Sequence, residues 1–299
     1  MSLNSFKDKR IIITGCGFKP IKHIFKDLVT GKPTHTELIV NKEKCKLNVG
    51  SAIAYSLLEV GATVHMISRS KENLEQLANA FCNKLNCNEN LIEYSAVDVL
   101  DEEQVKNFVK NLKKDKDIYW VQSIGLGAGS YKIKGDNPYL PLEEIDIGLI
   151  EAESKIVLRG THLFMQQILP LLKKQKESRI VIISSLSATR GYDLGGTHCA
   201  AKGAIDRYAN SAMLGLVKHN IFLTTVRPGI IDTGFYDSED VIKAVKHVGK
   251  EYGWEYQKDN IPLASPSAVG NLVREILSSN AHITSVNLVA QKQFPNEAS

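Results

Sequence analysis

The chain has 299 residues, of which 43% are hydrophobic and 23% charged, and its formal net charge is +4. A chain of this length and composition can bury one large core, so we expect a single domain spanning residues 1–299. A net charge this small is not, by itself, evidence for nucleic-acid binding.

The five cysteines are odd in number and scattered, with neither disulfide-scaffold nor zinc spacing: Cys16, Cys45, Cys82, Cys87 and Cys199. We therefore expect a reducing, cytoplasmic location and no metal. The first residues lack the apolar core of a signal peptide, and no run approaches the roughly 20 apolar residues of a membrane span. The expected partner is a small molecule, with neither nucleic acid nor a membrane involved.

Short apolar runs alternate with helical patterns along the chain. The runs lie at residues 10–14, 63–67, 91–97, 118–121, 180–183, 221–226 and 283–290, and the longest helical pattern covers 143–174. Continuous apolar runs are typical of strands buried on both faces of a parallel sheet. The alternation predicts an α/β fold, a doubly wound parallel sheet of the Rossmann type with its ligand at the carboxyl ends of the strands.

Residues 18–47 interrupt this alternation. Two β-leaning runs, 24–29 and 36–40, flank a Gly- and Pro-containing turn, so we predict an inserted β-hairpin after the first strand. The segment holds seven lysines and three acidic residues, a difference equal to the whole net charge. Two interpretations stay open: a solvated surface excursion, or an arm whose Lys22 and Lys26 approach a cofactor phosphate or an anionic substrate tail.

Ser68 and Arg69 directly follow the second run of the predicted sheet. An acidic residue at this point would accept hydrogen bonds from an adenosine ribose, whereas an arginine pairs with a 2′-phosphate. The pair therefore favours NADP(H) over NAD(H) as the cofactor. The alternative is an ordinary surface arginine at the end of a strand.

Residues 179–205, RIVIISSLSATRGYDLGGTHCAAKGAI, join an apolar run to a helical pattern through a loop rich in serine and glycine. This segment resembles the catalytic segment of the short-chain dehydrogenase/reductases. Thr14-Gly15-Cys16-Gly17 together with 48–54 resembles the glycine-rich turn of that family, split by the insertion, and 228–233 resembles its PGxxxT motif. The resemblance covers about residues 10–290 apart from the insertion.

The resemblance implies roles for residues by position. It implies that Ser185 and Lys202 are catalytic, and that a homodimer or homotetramer forms. The cofactor-binding residues that it implies are Gly15, Gly17, Val49, Gly50, Ser68, Arg69, Asp98, Val99, Gln122, Gly125, Lys202, Pro228, Gly229, Ile231 and Thr233. Small residues in the split turn would let backbone N–H groups and a helix N-terminus approach a pyrophosphate. The long polar and aromatic stretch 234–262 predicts a substrate lid.

The chain departs from the family at the proton-transfer position, where His198 replaces the tyrosine, and Val157 replaces an asparagine. A histidine can donate or accept a proton near neutral pH. A charged Lys202 one helical turn away disfavours an imidazolium. Tyr131 and Tyr192 are candidate pocket residues, either as a substitute hydroxyl or simply as lining.

Three functions fit these residues. The first is an NADP(H)-dependent oxidoreductase, with an altered proton step, for a small carbonyl, alcohol, enone or imine substrate. The second is a catalytically silent dinucleotide-binding protein that acts as a sensor, scaffold or partner subunit. The third is a non-redox isomerase or lyase on the same fold.

Overall fold

The computed structural model describes residues 6–35, 37–125, 139–251 and 261–293. In chain order the elements are β1 (Lys9–Thr14), β2 (Phe18–Pro20), β3 (Glu37–Val40), β4 (Glu43–Leu47), α1 (Val49–Leu58), β5 (Thr63–Ser68), α2 (Lys71–Leu85), β6 (Ile92–Ala96), α3 (Glu102–Lys110), β7 (Asp117–Gln122), α4 (Ile147–Ser154), α5 (Gly160–Leu172), β8 (Ser178–Ile183), α6 (Gly196–Leu216), β9 (Ile221–Pro228), α7 (Glu239–Glu251), α8 (Pro266–Ser278) and β10 (Ser285–Leu288).

Seven strands form one parallel sheet in the order β6-β5-β1-β7-β8-β9-β10. The chain first adds strands on one side of β1, then crosses back and adds β7 and its successors on the other side. Open α/β sheets bind ligands at such a reversal, outside the carboxyl ends of the strands. The predicted doubly wound sheet is thus confirmed.

Alternate side chains of each strand enter different cores. In β1, Ile11 and Ile13 pack with α1, α2 and α8 on one face, whereas Ile12 packs with α3, α5 and α6 on the other. Trp120 of β7 stacks on Phe164 of α5, with ring centroids 4.9 Å apart. Burying each such side chain stabilises the fold by roughly 1.5–3 kcal/mol. The sheet is therefore covered by a hydrophobic core on each face.

The insertion is a three-stranded antiparallel sheet in which β4 lies between β2 and β3. The predicted hairpin is partly wrong, because 24–29 is not a strand and only Lys26 forms a single bridge, with Pro33. The actual hairpin joins β3 to β4 through Asn41 and Lys42, whose φ angles of 50° and 67° suit a tight β-turn. The charged sequence of β4 concealed this strand.

Among the helices of the described ranges, none combines the length and the apolarity that a membrane span requires.

Candidate functional site

A cavity of about 440 Å³ lies at the carboxyl edge of the sheet, beside the strand reversal. Its walls come from several segments that the sequence singled out near a ligand: the glycine-rich turn, the ends of β7 and β8, α6 and the 228–233 segment. The lining includes Gly17, Val49, Gly125, Ser185, Tyr192, His198, Lys202, Pro228, Gly229, Ile231 and Thr233. Most of the predicted site residues are therefore brought together in one place.

The glycine-rich turn closes although the insertion splits it. The N–H of Asn48 donates to the carbonyl of Gly17 (3.1 Å), and the N–H of Gly17 donates to Ser51 Oγ (2.7 Å). A Cβ at Gly15, where φ is +93°, would lie 2.3 Å from the carbonyl oxygen of Ser123, and one at Gly50 would lie 2.6 Å from the carbonyl oxygen of Gly15. Only glycine fits these two positions, because backbone packs directly on backbone.

The start of α1 is suited to an anionic group. Asn48 caps the helix by accepting the N–H of Ser51 at 2.9 Å. The N–H groups of Val49 and Gly50, in the first turn, have no acceptor within the helix. Helix N-termini attract phosphate through such N–H groups and the helix dipole. These residues fit the pyrophosphate of a dinucleotide.

Ser185 follows β8 and belongs to a short hydroxyl chain. Its Oγ lies 2.8 Å from Ser187 Oγ and accepts the N–H of Ser187 at 3.2 Å. Ser187 also hydrogen-bonds the phenol of Tyr192. The chain holds the Ser185 hydroxyl at the cavity wall, where it can contact a substrate oxygen.

His198 is paired with a buried carboxylate. Its Nδ1 lies 2.8 Å from Oε1 of Glu153, which belongs to α4 and is 1% exposed. An ionised carboxylate only accepts hydrogen bonds, so the proton of the neutral ring lies on Nδ1. The ring lines the cavity and its side chain is 34% exposed, which leaves Nε2 for a ligand. The structure therefore places this histidine at the cavity wall and not in the core; its role in proton transfer stays a prediction.

Lys202 lies one helical turn from His198 and is nearly inaccessible. Its Nζ donates to the carbonyl of Ile183 at 3.1 Å. Burial lowers the pKa of Lys202 from 10.5 to about 8, and the nearby carboxylate of Glu153 opposes that decrease. The floor of the cavity thus holds two basic side chains with one acid close to both.

The predicted 143–174 helix is divided by a π-helical turn, Lys155–Arg159, which joins α4 to α5. Val157 in this turn is fully buried, and its carbonyl accepts the hydroxyl of Thr161 at 2.5 Å. Thr161 Oγ1 in turn accepts from Nε2 of the buried Gln122 at 2.7 Å. Val157 therefore presents no polar group to the cavity. The predicted contact between Gln122 and the cofactor stays a prediction.

Seven predicted cofactor residues do not line the cavity: Gly15, Gly50 and Gln122, described above, and four at or just after the ends of β5 and β6. Ser68 donates weakly to the carbonyl of Ser70 (3.4 Å), and Arg69 is exposed. Asp98 accepts the N–H of Leu100 at 2.9 Å, while Val99 is buried against the start of α5. Their contacts with an adenosine remain predictions.

Aromatic rings form the outer wall of the cavity. The ring centroid of Tyr139 lies 6.2 Å from those of both Tyr192 and Phe235. Burial raises the pKa of Tyr192 strongly, and it raises the pKa of Tyr236 to about 12. Such phenols are weak proton donors, so this wall is best suited to contact an apolar part of a ligand.

The region 234–262 contributes α7, from which Val245, Val248 and Gly249 line the cavity. That this region acts as a substrate lid stays a prediction. Tyr131 lies outside the described residues. Within the ranges that the structure describes, no group of three or more His, Cys, Asp or Glu side chains could hold a metal ion.

Glu153 is the main site residue that sequence reasoning missed. It stands 45 positions before His198, inside what reads as a single long helix, so no local pattern connects the two. Asn48 and Ser51 do carry a local signal, since an Asn before a helical run is typical of an N-cap. That signal is obscured because the insertion separates the cap from the first half of the turn.

Comparisons with known proteins agree with this geometry. The short chain dehydrogenase family model matches residues 47–243. The 3-oxoacyl-[acyl-carrier-protein] reductase FabG of Aquifex aeolicus (strain VF5) is 28% identical over 237 residues, which are 78% of this chain and 87% of that protein.

Two solved structures share the fold. An alcohol dehydrogenase from the archaeon Thermococcus sibiricus, complexed with 5-hydroxy-NADP, has a TM-score of 0.65 at 19% identity and covers 94% of this chain and 95% of its own. An NADPH-bound short chain oxidoreductase from Pseudomonas aeruginosa PAO1, containing an atypical catalytic center, has a TM-score of 0.68 at 16% identity and covers 97% of each chain. Since the family model matches more than half of the sequence, the chain belongs to the short-chain dehydrogenase/reductase family.

Proposed function

We propose that this protein is an NADP(H)-dependent oxidoreductase that transfers a hydride between the nicotinamide and a small carbonyl, alcohol, enone or imine substrate. One observation carries the proposal: a single cavity joins the glycine-rich turn and the 228–233 segment to Ser185, His198 and Lys202. A site of this shape holds a dinucleotide beside a proton-transfer group. When bound, NADP(H) supplies the hydride in reduction and accepts it in oxidation.

In the proposed reaction His198 carries the proton step. During reduction of a carbonyl, Nε2–H of the protonated ring gives its proton to the substrate oxygen while the carbonyl carbon gains the hydride, so that C=O becomes CH–OH. The carboxylate of Glu153 balances the positive charge of the ring, which offsets the repulsion from Lys202. Ser185 donates a hydrogen bond to the same oxygen, and in oxidation neutral Nε2 takes the hydroxyl proton.

The choice of NADP(H) rests on Arg69. The exposed guanidinium stands at the end of β5, where the 2′-hydroxyl or 2′-phosphate of an adenosine lies in dinucleotide-binding sheets. The two structural neighbours described above were solved with 5-hydroxy-NADP and with NADPH. An arginine pairs with a 2′-phosphate by charge-assisted hydrogen bonds.

The test is a titration of the purified protein with NADPH and with NADH, following nicotinamide fluorescence. We expect tight binding of NADPH and weak binding of NADH. Arg69→Glu should weaken NADPH binding about tenfold or more. The matched control Lys71→Glu, an exposed charge two residues later, should change it little. If neither dinucleotide binds, the oxidoreductase proposal is abandoned for a binding or scaffold role.

A second candidate is a catalytically silent dinucleotide-binding protein, which the buried, apolar Val157 favours because no polar group stands there to relay a proton. This candidate predicts normal NADPH binding without turnover of carbonyl, enone or imine substrates. A rise in carbonyl reduction in His198→Tyr would then locate the loss at residue 198, within an otherwise intact pocket.

A further inference from the structure

The insertion shares a small hydrophobic core with α7. The ring of Phe25 is fully buried and packs with Val241, Ile242 and Val245 of α7 and with two residues that precede α8, Ile261 and Leu263. Because full burial of a phenylalanine ring is strongly stabilising, it fixes the position of this segment against α7. The insertion is therefore joined to the region beside the cavity and is not a free-standing arm.

A buried ion network makes a second connection. Lys46 Nζ on β4 lies 2.7 Å from Asp232 Oδ1 and 2.7 Å from Asp237 Oδ1. Lys46 and Asp232 are both 0% exposed. Thr34 Oγ1 donates to the other oxygen of Asp232 at 2.7 Å. The backbone N–H groups of Lys22 and His23 donate to Asp237 Oδ2 at 3.1 and 3.2 Å.

Lys46, Thr34 and the two carboxylates are hydrogen-bonded across the two segments, whereas Nδ1 of the buried His35, 3.9 Å from Asp232 Oδ2, has no hydrogen-bond partner. Buried charges are tolerated only when they are paired and hydrogen-bonded, and removing one partner leaves a costly charge behind. Lys46 is the cation between two carboxylates, and its ammonium also lies 5.1 Å from the ring centroid of Phe25. Lys46 therefore joins the ion network to the shared hydrophobic core.

The network lies directly behind the cavity wall. Asp232 stands between Ile231 and Thr233, both of which line the cavity. On the other side, Lys46 is paired in register with Lys19 of β2, and Lys19 lines the same cavity. A displacement of Asp232 would consequently move the residues on both of its sides that face the ligand.

We propose that Lys46 is a positioning residue for the part of the site that the 228–233 segment lines. Through Asp232 and Asp237 it holds the 228–237 segment in the conformation that binds the cofactor, so the insertion is part of the binding apparatus. The inference rests on the proposed function for the identity of the ligand. The exposed Lys22 and Lys26, which the sequence singled out, do not line the cavity; the insertion acts through its buried lysine instead.

The experiment compares Lys46→Met with Arg10→Met. Arg10 is also a buried cation, 2% exposed, and pairs with Glu93 and Asp115 at the opposite end of β1. Both variants should lower the thermal unfolding temperature. Only Lys46→Met should weaken NADPH binding, by about tenfold or more because a small misplacement of binding groups is costly, and only it should speed hydrogen exchange in 229–236. Lys46→Arg should restore part of the affinity.

Thr34→Val serves if Lys46→Met does not fold, since it removes one neutral donor to Asp232 and leaves the ion pair in place; a smaller change in the same two readouts is expected. A folded Lys46→Met protein with wild-type NADPH affinity and unchanged exchange in 229–236 overturns the inference and makes the network purely structural. Wild-type protein that binds no NADPH overturns the proposed function instead. In that second case, where no NADPH binds, faster hydrogen exchange in 229–236 of Lys46→Met but not of Arg10→Met would still show that Lys46 positions the segment.

Discussion

His198 and Glu153 show how a side chain distant in sequence completes the site. Residue spacing was enough to place Ser185, His198 and Lys202 near one another, because the strand, the loop and one helical turn determine their relative positions. The partner of His198 was not predictable, since α4 and α6 meet only in the folded chain. A charge argument based on Lys202 alone therefore left out the carboxylate that contacts this histidine.

Glu153→Gln should lower kcat by about tenfold to a hundredfold with little change in KM, because an amide cannot balance the charge of a protonated ring. Both the magnitude of kcat and its dependence on pH should change in Glu153→Gln, and Glu153→Asp should recover part of the rate. Glu151→Gln, an exposed residue on the same helix, is the matched control. Equal rates for Glu153→Gln and wild type would show that the carboxylate only supports the fold.

We expect Lys202 to lower the stability of the folded protein although it contributes to binding of the cofactor. Its pKa is about 8 in the folded chain against 10.5 normally, so below pH 8 the folded protein holds a charge that burial disfavours. Lys202→Met should stabilise the protein without cofactor at pH 7 by on the order of 1–3 kcal/mol. This gain should shrink as pH rises from 8 to 10.5, where the wild-type lysine loses its charge in both states.

Urea unfolding at pH 7 and at pH 10 measures this difference, with the exposed Lys218→Met, just after α6, as the control. NADPH affinity should fall in Lys202→Met although its stability rises. A variant less stable than wild type at pH 7 would mean that the hydrogen bond to Ile183 outweighs the cost of burial.

At the scale of elements, the parallel strands were predictable because their continuous apolar runs are typical of strands buried on both faces of a sheet. The strands of the insertion were not predictable in this way. Strand β4 reads Glu-Lys-Cys-Lys-Leu, which resembles a solvated segment. Its Lys46 is nevertheless fully buried, because the two acids that neutralise it lie about 190 residues later. A pattern of local polarity cannot indicate a buried ion network whose other half is distant in sequence.

The contact between α1 and α8 provides a test of helix packing. A Cβ at Gly270 of α8 would lie 2.6 Å from the carbonyl oxygen of Ala52 on α1. Gly270→Ala should therefore destabilise the protein by about 1–3 kcal/mol, since backbone must move to make room. Thermal unfolding checks this, with Gly215→Ala on α6 as the control, where a Cβ meets nothing within 4 Å. Equal unfolding temperatures for the two variants would contradict this view of the helix pair.

At the scale of the whole molecule, the alternation of runs was sufficient to predict the sheet and the edge at which the cavity lies. The sequence could not show which charges hold the opposite edge together. There Glu93 accepts from Arg10 (2.9 Å) and Lys113 (2.8 Å) and lies 3.2 Å from His65 Nδ1. The hydrogen bond with His65, followed by those with Lys113 and Arg10, lowers the pKa of Glu93 well below 4.5.

A carboxyl group with a lowered pKa stabilises the fold above its unfolded pKa, and this stability is lost as pH falls through the folded one. The free energy of unfolding should therefore decrease by on the order of 2 kcal/mol from this group as pH falls below about 4.5. Urea unfolding between pH 3 and pH 7 should show a shallower decrease in Glu93→Gln than in wild type. The exposed Glu75→Gln should follow wild type, and identical slopes for all three would exclude this network as the source.

The two ends of the insertion meet within hydrogen-bonding distance, through Asn48 N–H to the carbonyl of Gly17 at 3.1 Å. Because the first and last residues of the insertion are adjacent, the insertion does not lengthen the glycine-rich turn that it interrupts. This position beside the cavity is therefore suitable for replacing one inserted segment with another. A different antiparallel module with neighbouring terminal strands can be spliced in there, provided that Asp232 and Asp237 are neutralised together with the loss of Lys46. The new module must also fill the core that Phe25 shares with α7, and it would then present new side chains to the cavity beside Ser185, His198 and Lys202.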